Sequence, residues 1–172
     1  INSYHVGGTG RLSTDPAYLA DNPGGGPTFI RCTGANTLYY TTASNYPNSI
    51  YWNSDVFSDE RTIDGALYKD CSAIGATDGG FDLKSTNVTL DGTSSEGCKF
   101  NYKLWGTGTL TGISSTNPVK IAGTGSVAHI AFFGATNAAF TATDLSITGG
   151  VGNSATVIDV SSAEGLNTLD VT

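Results

Sequence analysis

Val88-Thr89-Leu90-Asp91-Gly92, Gly108-Thr109-Leu110-Thr111-Gly112, Val119-Lys120-Ile121-Ala122-Gly123, Ile130-Ala131-Phe132-Phe133-Gly134 and Leu145-Ser146-Ile147-Thr148-Gly149 are variants of one phrase, a short β-prone run closed by glycine. The apolar centres Leu90, Phe100, Leu110, Ile121, Phe132, Leu145, Val157 and Leu169 follow one another at nearly even intervals. Such a cadence predicts many short strands of even spacing. Within Val119-Lys120-Ile121 and Leu145-Ser146-Ile147 the apolar residues stand two apart, which places them on one sheet face and turns Lys120 and Ser146 outward. The expected class is all-β, with a parallel β-helix (solenoid) in the second half. An antiparallel β-sandwich is the alternative. It is disfavoured because the hairpin dipeptides Asp64-Gly65, Asp78-Gly79 and Asp91-Gly92 leave the chain beyond Gly92 without one.

The organisation changes near residue 80. Residues 1–80 hold Pro16, Pro23, Pro27 and Pro47 of the five prolines and seven of the eight tyrosines, and read as an irregular, loop-rich, aromatic-rich N-terminal β region. Residues 81–172 read as the repeating region. Its last run, Asn167-Thr168-Leu169-Asp170-Val171-Thr172, is strand-like, so the repeat is expected to continue beyond Thr172 or to be covered in an assembly. In the first part, Thr28-Phe29-Ile30-Arg31-Cys32 and Thr37 to Thr42 predict a hairpin about a turn at Gly34-Ala35-Asn36. Asp15 to Ala20 predicts one helical turn, Ser58 to Arg61 a second, Ser49 to Asn53 a strand, and Gly75 to Gly80 a flexible connector.

Composition excludes several classes. A net charge of −7 and scattered Lys and Arg residues oppose a phosphate backbone, so no nucleic-acid partner is expected. No apolar run approaches the ~20 residues of a bilayer-crossing helix, so no membrane span is expected. Cys32, Cys71 and Cys98 are too few and too widely spaced for a zinc motif. They read as buried free thiols made in a reducing compartment.

Reactive constellations are scarce. His129 alternates with apolar residues as a structural histidine would, and His5 lies in a glycine-rich entry segment. Asp78, Asp82 and Asp91 flank glycines without calcium-binding spacing and read as solvated turn acids, so neither a metal nor a cofactor is expected. If the chain cleaves a polysaccharide, as a lyase or glycoside hydrolase, its acids come from Asp55, Asp59, Glu60, Asp64 and Asp70, with Asp64 and Asp70 the candidate catalytic pair. Tyr39, Tyr40, Tyr46, Tyr51 and Trp52, near Asn45, Asn48 and Asn53, are the candidate glycan-binding residues, because exposed rings stack on sugar faces. Buried, the same rings would simply fill a core or an interface.

The Gly/Thr/Ser-rich repeats from Asn87 to Thr172, notably Gly123-Thr124-Gly125-Ser126-Val127 and Asp144-Leu145-Ser146-Ile147-Thr148-Gly149-Gly150, resemble the β-helical virion fibre and spike proteins of tailed bacteriophages. The resemblance covers about half the chain and lies in style, with no catalytic motif to carry over. It implies a virion structural or adhesion protein, a fibre, tailspike or decoration assembled in the host cytoplasm. Its partners would be two further copies in a homotrimer, other virion proteins and a host surface glycan. The alternatives are a polysaccharide-degrading β-helix enzyme and a bacterial surface adhesin.

Overall fold

The computed structural model describes residues 26–35, 55–59, 64–120, 126–132, 137–150, 155–160 and 163–172. Among these every regular element is a strand, and the strands recur in groups of three. The first group is β1 (Thr28–Ile30), β2 (Thr33–Ala35) and β3 (Phe57–Ser58), and the second β4 (Leu67–Lys69), β5 (Ser72–Ile74) and β6 (Gly79–Leu83). Then come β7 (Val88–Asp91), β8 (Ser94–Glu96) and β9 (Phe100–Leu104), followed by β10 (Thr107–Thr111), β11 (Ser114–Thr116) and β12 (Ala128–Ala131). Last are β13 (Ala139–Thr143), β14 (Ser146–Thr148) and β15 (Thr156–Asp159), with β16 (Thr168–Val171) opening a sixth group.

Each member of a group pairs in parallel with its counterpart in the next. Three sheets result, ordered β1-β4-β7-β10-β13-β16, β2-β5-β8-β11-β14 and β3-β6-β9-β12-β15. The architecture is therefore all-β with three parallel sheets of stacked strands, and the antiparallel pairs of a sandwich are absent among the described residues. Strands of the first half and the second share all three sheets.

The shortest groups set the period. Leu67 pairs with Thr89 and Leu90 with Leu110, whereas Thr107 pairs with Ala139 across a longer excursion. Phe100, midway between Leu90 and Leu110 in sequence, belongs to a different sheet. The sequence cadence is therefore half a period, because it registers only two of the three strands. From β7 to β11 the strands it misses are β8 and β11, whose inward residues are Ser95 and Ser115, both buried.

Corners are made by single residues in left-handed conformation, and these too stack. Arg31, Asp70, Gly92, Gly112 and Asp144 (φ 52° to 63°) lie between the first and second strands of successive groups. Their amides keep the ladder unbroken around the bend, Asp70 N–H donating to Asp91 O at 2.7 Å and Gly92 N–H to Thr111 O at 2.9 Å. Glycine reaches this region without strain, and Asp or Asn at modest cost, which is why the repeated phrase ends as it does.

Two expectations about glycine are corrected. Gly79 and Gly80 are buried residues of β6 and not a flexible connector. A Cβ on Gly80 would lie 2.1 Å from Ser95 Oγ, so glycine is required there for space between sheets. Gly34 and Ala35 belong to β2, paired in parallel with β5, and so do not form a hairpin turn after β1. Ser58 likewise lies in β3 and not in a helical turn. The 15–20 turn, the 49–53 strand, the 37–42 hairpin arm and Ile121 lie outside the described residues.

The core is built of columns running along the stack. Phe29, Tyr68, Leu90, Leu110, Ala142 and Val171 form one, and Phe57, Phe81, Tyr102, Ile130 and Ile158 another. Inner members are almost completely buried, each large side chain contributing about 1.5–3 kcal/mol by leaving water. The terminal members Val171 and Ile158 are 53% and 40% exposed.

Candidate functional site

Charge concentrates on the outer face of the β3-β6-β9-β12-β15 sheet. β6 and β9 place Asp82 in register with Lys103, while Asp78 precedes β6 and Asp55 precedes β3. Lys103 Nζ lies 2.7 Å from Asp78 Oδ2 and 4.0 Å from Asp82 Oδ2, and Lys84 Nζ lies 2.5 Å from Asp82 Oδ2. Asp55 Oδ1 accepts the Gly79 amide at 2.7 Å. A Cβ on Gly79 would meet Asp55 Oδ1 at 2.8 Å and Lys103 Cδ at 3.3 Å, so glycine leaves the room in which these groups converge. Aromatic rings border the cluster: Lys103 Nζ is 5.5 Å from the Trp105 ring centroid, Lys84 Nζ 5.6 Å from it, and Lys99 Nζ 5.0 Å from that of Phe100.

The four central groups are 3–5% exposed, so their charges interact through little water. Burial, followed by the charges of Asp82 and Asp78, pushes Asp55 well above the ordinary carboxylate range, against the opposing pull of Lys103. Burial alone would lower Lys103, but Asp82, Asp78 and Asp55 outweigh it and hold the ammonium above its usual value. Asp82 Oδ1 is buried without a hydrogen-bond partner. The arrangement sets a carboxyl raised by burial beside carboxylates ion-paired to lysine.

Asp59 is buried nearby with a different task. Its Oδ1 accepts the amides of Lys84 at 2.5 Å and Ser85 at 2.8 Å, and its Oδ2 accepts Ser85 Oγ at 2.9 Å and Tyr68 Oη at 3.3 Å. Burial raises its carboxyl to about 6 despite these bonds. Asp59 pins the chain where β6 ends.

The candidate pair Asp64 and Asp70 stands at opposite ends of β4. Asp64 Oδ1 accepts Thr86 Oγ1 at 2.6 Å and Asn87 Nδ2 at 2.8 Å, bonds that lower its carboxyl. Asp70 is an exposed corner residue with φ 52°. The structure brings neither into the charged cluster. Tyr39, Tyr40, Tyr46, Tyr51, Trp52, Glu60 and His5 lie outside the described residues. Phe57, which follows these aromatics in sequence, is buried and stacked on Phe81.

Asp78 and Asp82, expected as solvated turn acids, are instead buried in ion pairs, while Asp91 is partly exposed and paired with Lys69. The signal that locates the cluster is the spacing of Asp82 and Lys103, one period apart, which becomes visible only when the register is known. His129 is structural: buried, with Nδ1 2.8 Å from Ser115 Oγ and Nε2 3.4 Å from Gly149 O, and its burial lowers its pKa. Cys71 and Cys98 are buried free thiols and Cys32 is partly exposed. Among the described residues no group of three His, Cys, Asp or Glu side chains is arranged to hold a metal ion, and no helix is long and apolar enough to cross a membrane.

No protein family, curated protein or solved structure matches this chain.

Proposed function

We propose that this chain is a parallel β-helix serving as a virion structural or adhesion element, a fibre, spike or decoration of a tailed phage that acts by assembly and by recognition of a surface or glycan. The observation that carries the reading is the outer face of the six-stranded sheet. Thr28, Leu67, Thr89, Thr109, Thr141 and Asp170 form one outward column, and Ile30, Lys69, Asp91, Thr111 and Thr143 the next. This face is broad and hydroxyl-rich, and its Lys69–Asp91 ion pair is internally compensated. It suits contact with a flat neutral partner, whereas the buried acids of the neighbouring sheet are largely consumed by lysines and amides. Light scattering at micromolar concentration tests assembly, with a mass of three chains expected. Retention on host-surface polysaccharide whose length stays unchanged tests recognition. A monomer that retains no glycan overturns the proposal.

A second reading, a polysaccharide-degrading enzyme, is favoured by one specific arrangement: Asp55, its carboxyl raised by burial, beside the buried Asp82, whose Oδ1 has no hydrogen-bond partner. Glycan shortening abolished by Asp55→Asn and by Asp82→Asn, with the fold intact, would establish it. Cleavage unaffected by both would remove these acids from the chemistry.

A further inference from the structure

Cys32 and Cys71 are far apart in sequence yet occupy the same place on neighbouring turns of the stack. Each immediately precedes a strand, β2 and β5, and those strands pair with Thr33 opposite Ser72. The Ser72 amide donates to Cys32 O at 2.9 Å, so the backbone ladder extends through the cysteines themselves. Both thiols turn toward the same short piece of β1: Cys71 Sγ donates to Phe29 O at 3.5 Å and to Lys69 O at 3.3 Å, and Cys32 Sγ to Ile30 O at 3.5 Å. Burial raises the Cys71 thiol above its ordinary pKa, and the neighbouring Cys32 is among the lesser influences on it.

Paired strands lie about 4.8 Å apart, inside the ~4.4–6.8 Å range of Cα separations that a disulfide spans. We propose that Cys32 and Cys71 form a site of reversible covalent modification, a disulfide that staples the first described turn of the stack to the second when a small-molecule disulfide such as oxidised glutathione is present.

Access dictates the order of events. Cys32 is partly exposed and Cys71 fully buried, so the Cys32 thiolate attacks the small disulfide, whose S–S bond breaks to release one thiol and leave a mixed disulfide on Cys32. The Cys71 thiol gives its proton to solvent and attacks Cys32 Sγ. The new S–S bond forms as the second small thiol leaves and takes up a proton. Two protein thiols are oxidised and one small disulfide is reduced to two thiols.

Cys98 supplies the internal control. It is buried on a different column, its Sγ accepting the Ala76 amide at 3.3 Å and lying 3.6 Å from Ser95 Oγ, and burial pushes its thiol up to about 11. The test incubates the folded chain with oxidised glutathione, quenches with acid, and counts thiols by alkylation in denaturant. The expected count falls from three to one, and a non-reducing peptide map joins the Cys32 and Cys71 peptides. Cys98→Ser should fall from two to none, and Cys71→Ala should stop at a mixed disulfide on Cys32. The stapled form should unfold at higher urea than the reduced one, because a cross-link closing a loop of this length restricts the unfolded chain. Three surviving thiols, a wild-type mixed disulfide that never resolves, or a bridge to Cys98 would each overturn the proposal.

Discussion

Phe81 and Tyr102 are register partners on the paired strands β6 and β9, with ring centroids 5.2 Å apart and planes inclined by 6°. Phe57 continues the stack below Phe81 at 4.9 Å and 14°, and Tyr68 meets Phe81 edge-on at 5.8 Å. Parallel in-register pairing forces like rings into such columns, so Phe81 contacts aromatic partners on three sides. Phe81→Ala is expected to destabilise the fold by about 3–5 kcal/mol through lost transfer and the cavity left behind. Urea denaturation followed by circular dichroism measures it, and a loss below ~1 kcal/mol would contradict the column.

Gly80 and Gly65 separate two reasons for being glycine. At Gly80 a Cβ would meet Ser95 Oγ at 2.1 Å and the Asn101 carbonyl at 2.7 Å, the latter being backbone that cannot yield. At Gly65 a Cβ meets nothing within 4 Å, but φ is 75°. Gly65→Ala should cost only about 1 kcal/mol of backbone strain, whereas Gly80→Ala forces the β6 and β8 sheets apart and should cost at least the ~1–3 kcal/mol of an overpacked core. Midpoints of chemical denaturation for the two variants, measured side by side, decide the order.

The same distinction explains what sequence could and could not convey. Leu90, Leu110 and Phe100 announced strands because apolar residues alternate with threonine or charge, and the corner glycines Gly92 and Gly112 announced the turns between them. β8 and β11 stayed hidden because their inward residues are Ser95 and Ser115, polar in sequence but buried against the narrow corner where Asn101 Nδ2 reaches Ser115 Oγ at 2.8 Å. Gly79-Gly80 read as a hinge because sequence does not distinguish glycine chosen for φ from glycine chosen for space. The Asp78-Asp82-Lys103 cluster was invisible for a further reason: its members meet only through the inter-turn register, and acids beside glycine look like turn residues until a lysine one period away is laid over them.

Asp59 makes stability depend on pH. Its carboxyl is raised from the ordinary 3.8 to about 6 in the folded chain, so the folded state holds the proton more tightly than the unfolded one. Its stabilising contribution is complete below pH ~4 and is lost as pH rises through ~6, a change on the order of 2–3 kcal/mol at ~1.4 kcal/mol per unit. Asp55, raised by burial as well, acts in the same direction. Asp59→Asn keeps an oxygen for the Lys84 and Ser85 amides and should flatten the Asp59 part of the profile. Unfolding free energies between pH 4 and 7.5 for both proteins check this, and identical slopes would exclude Asp59 as the source.

Lys103 is the cation on which Asp78 depends, bonded to it at 2.7 Å, while Asp82 also has Lys84 at 2.5 Å. Replacing Lys103 with methionine keeps most of the buried stem and removes the charge, leaving Asp78, 5% exposed, without this counterion. Breaking a buried pair on one side costs about 3–5 kcal/mol, far more than an exposed pair is worth, because the remaining ion stays desolvated. Lys103→Met should therefore be strongly destabilising at pH 7. Its deficit should shrink as acid protonates the stranded carboxylate. Asp78→Asn combined with Lys103→Met should recover much of the loss at neutral pH. Lys69→Met, which breaks the exposed pair with Asp91, should change stability by under ~1 kcal/mol at either pH. Equal costs for Lys103→Met and Lys69→Met across pH 4.5–7.5 would show that the buried cluster behaves as a solvated surface pair.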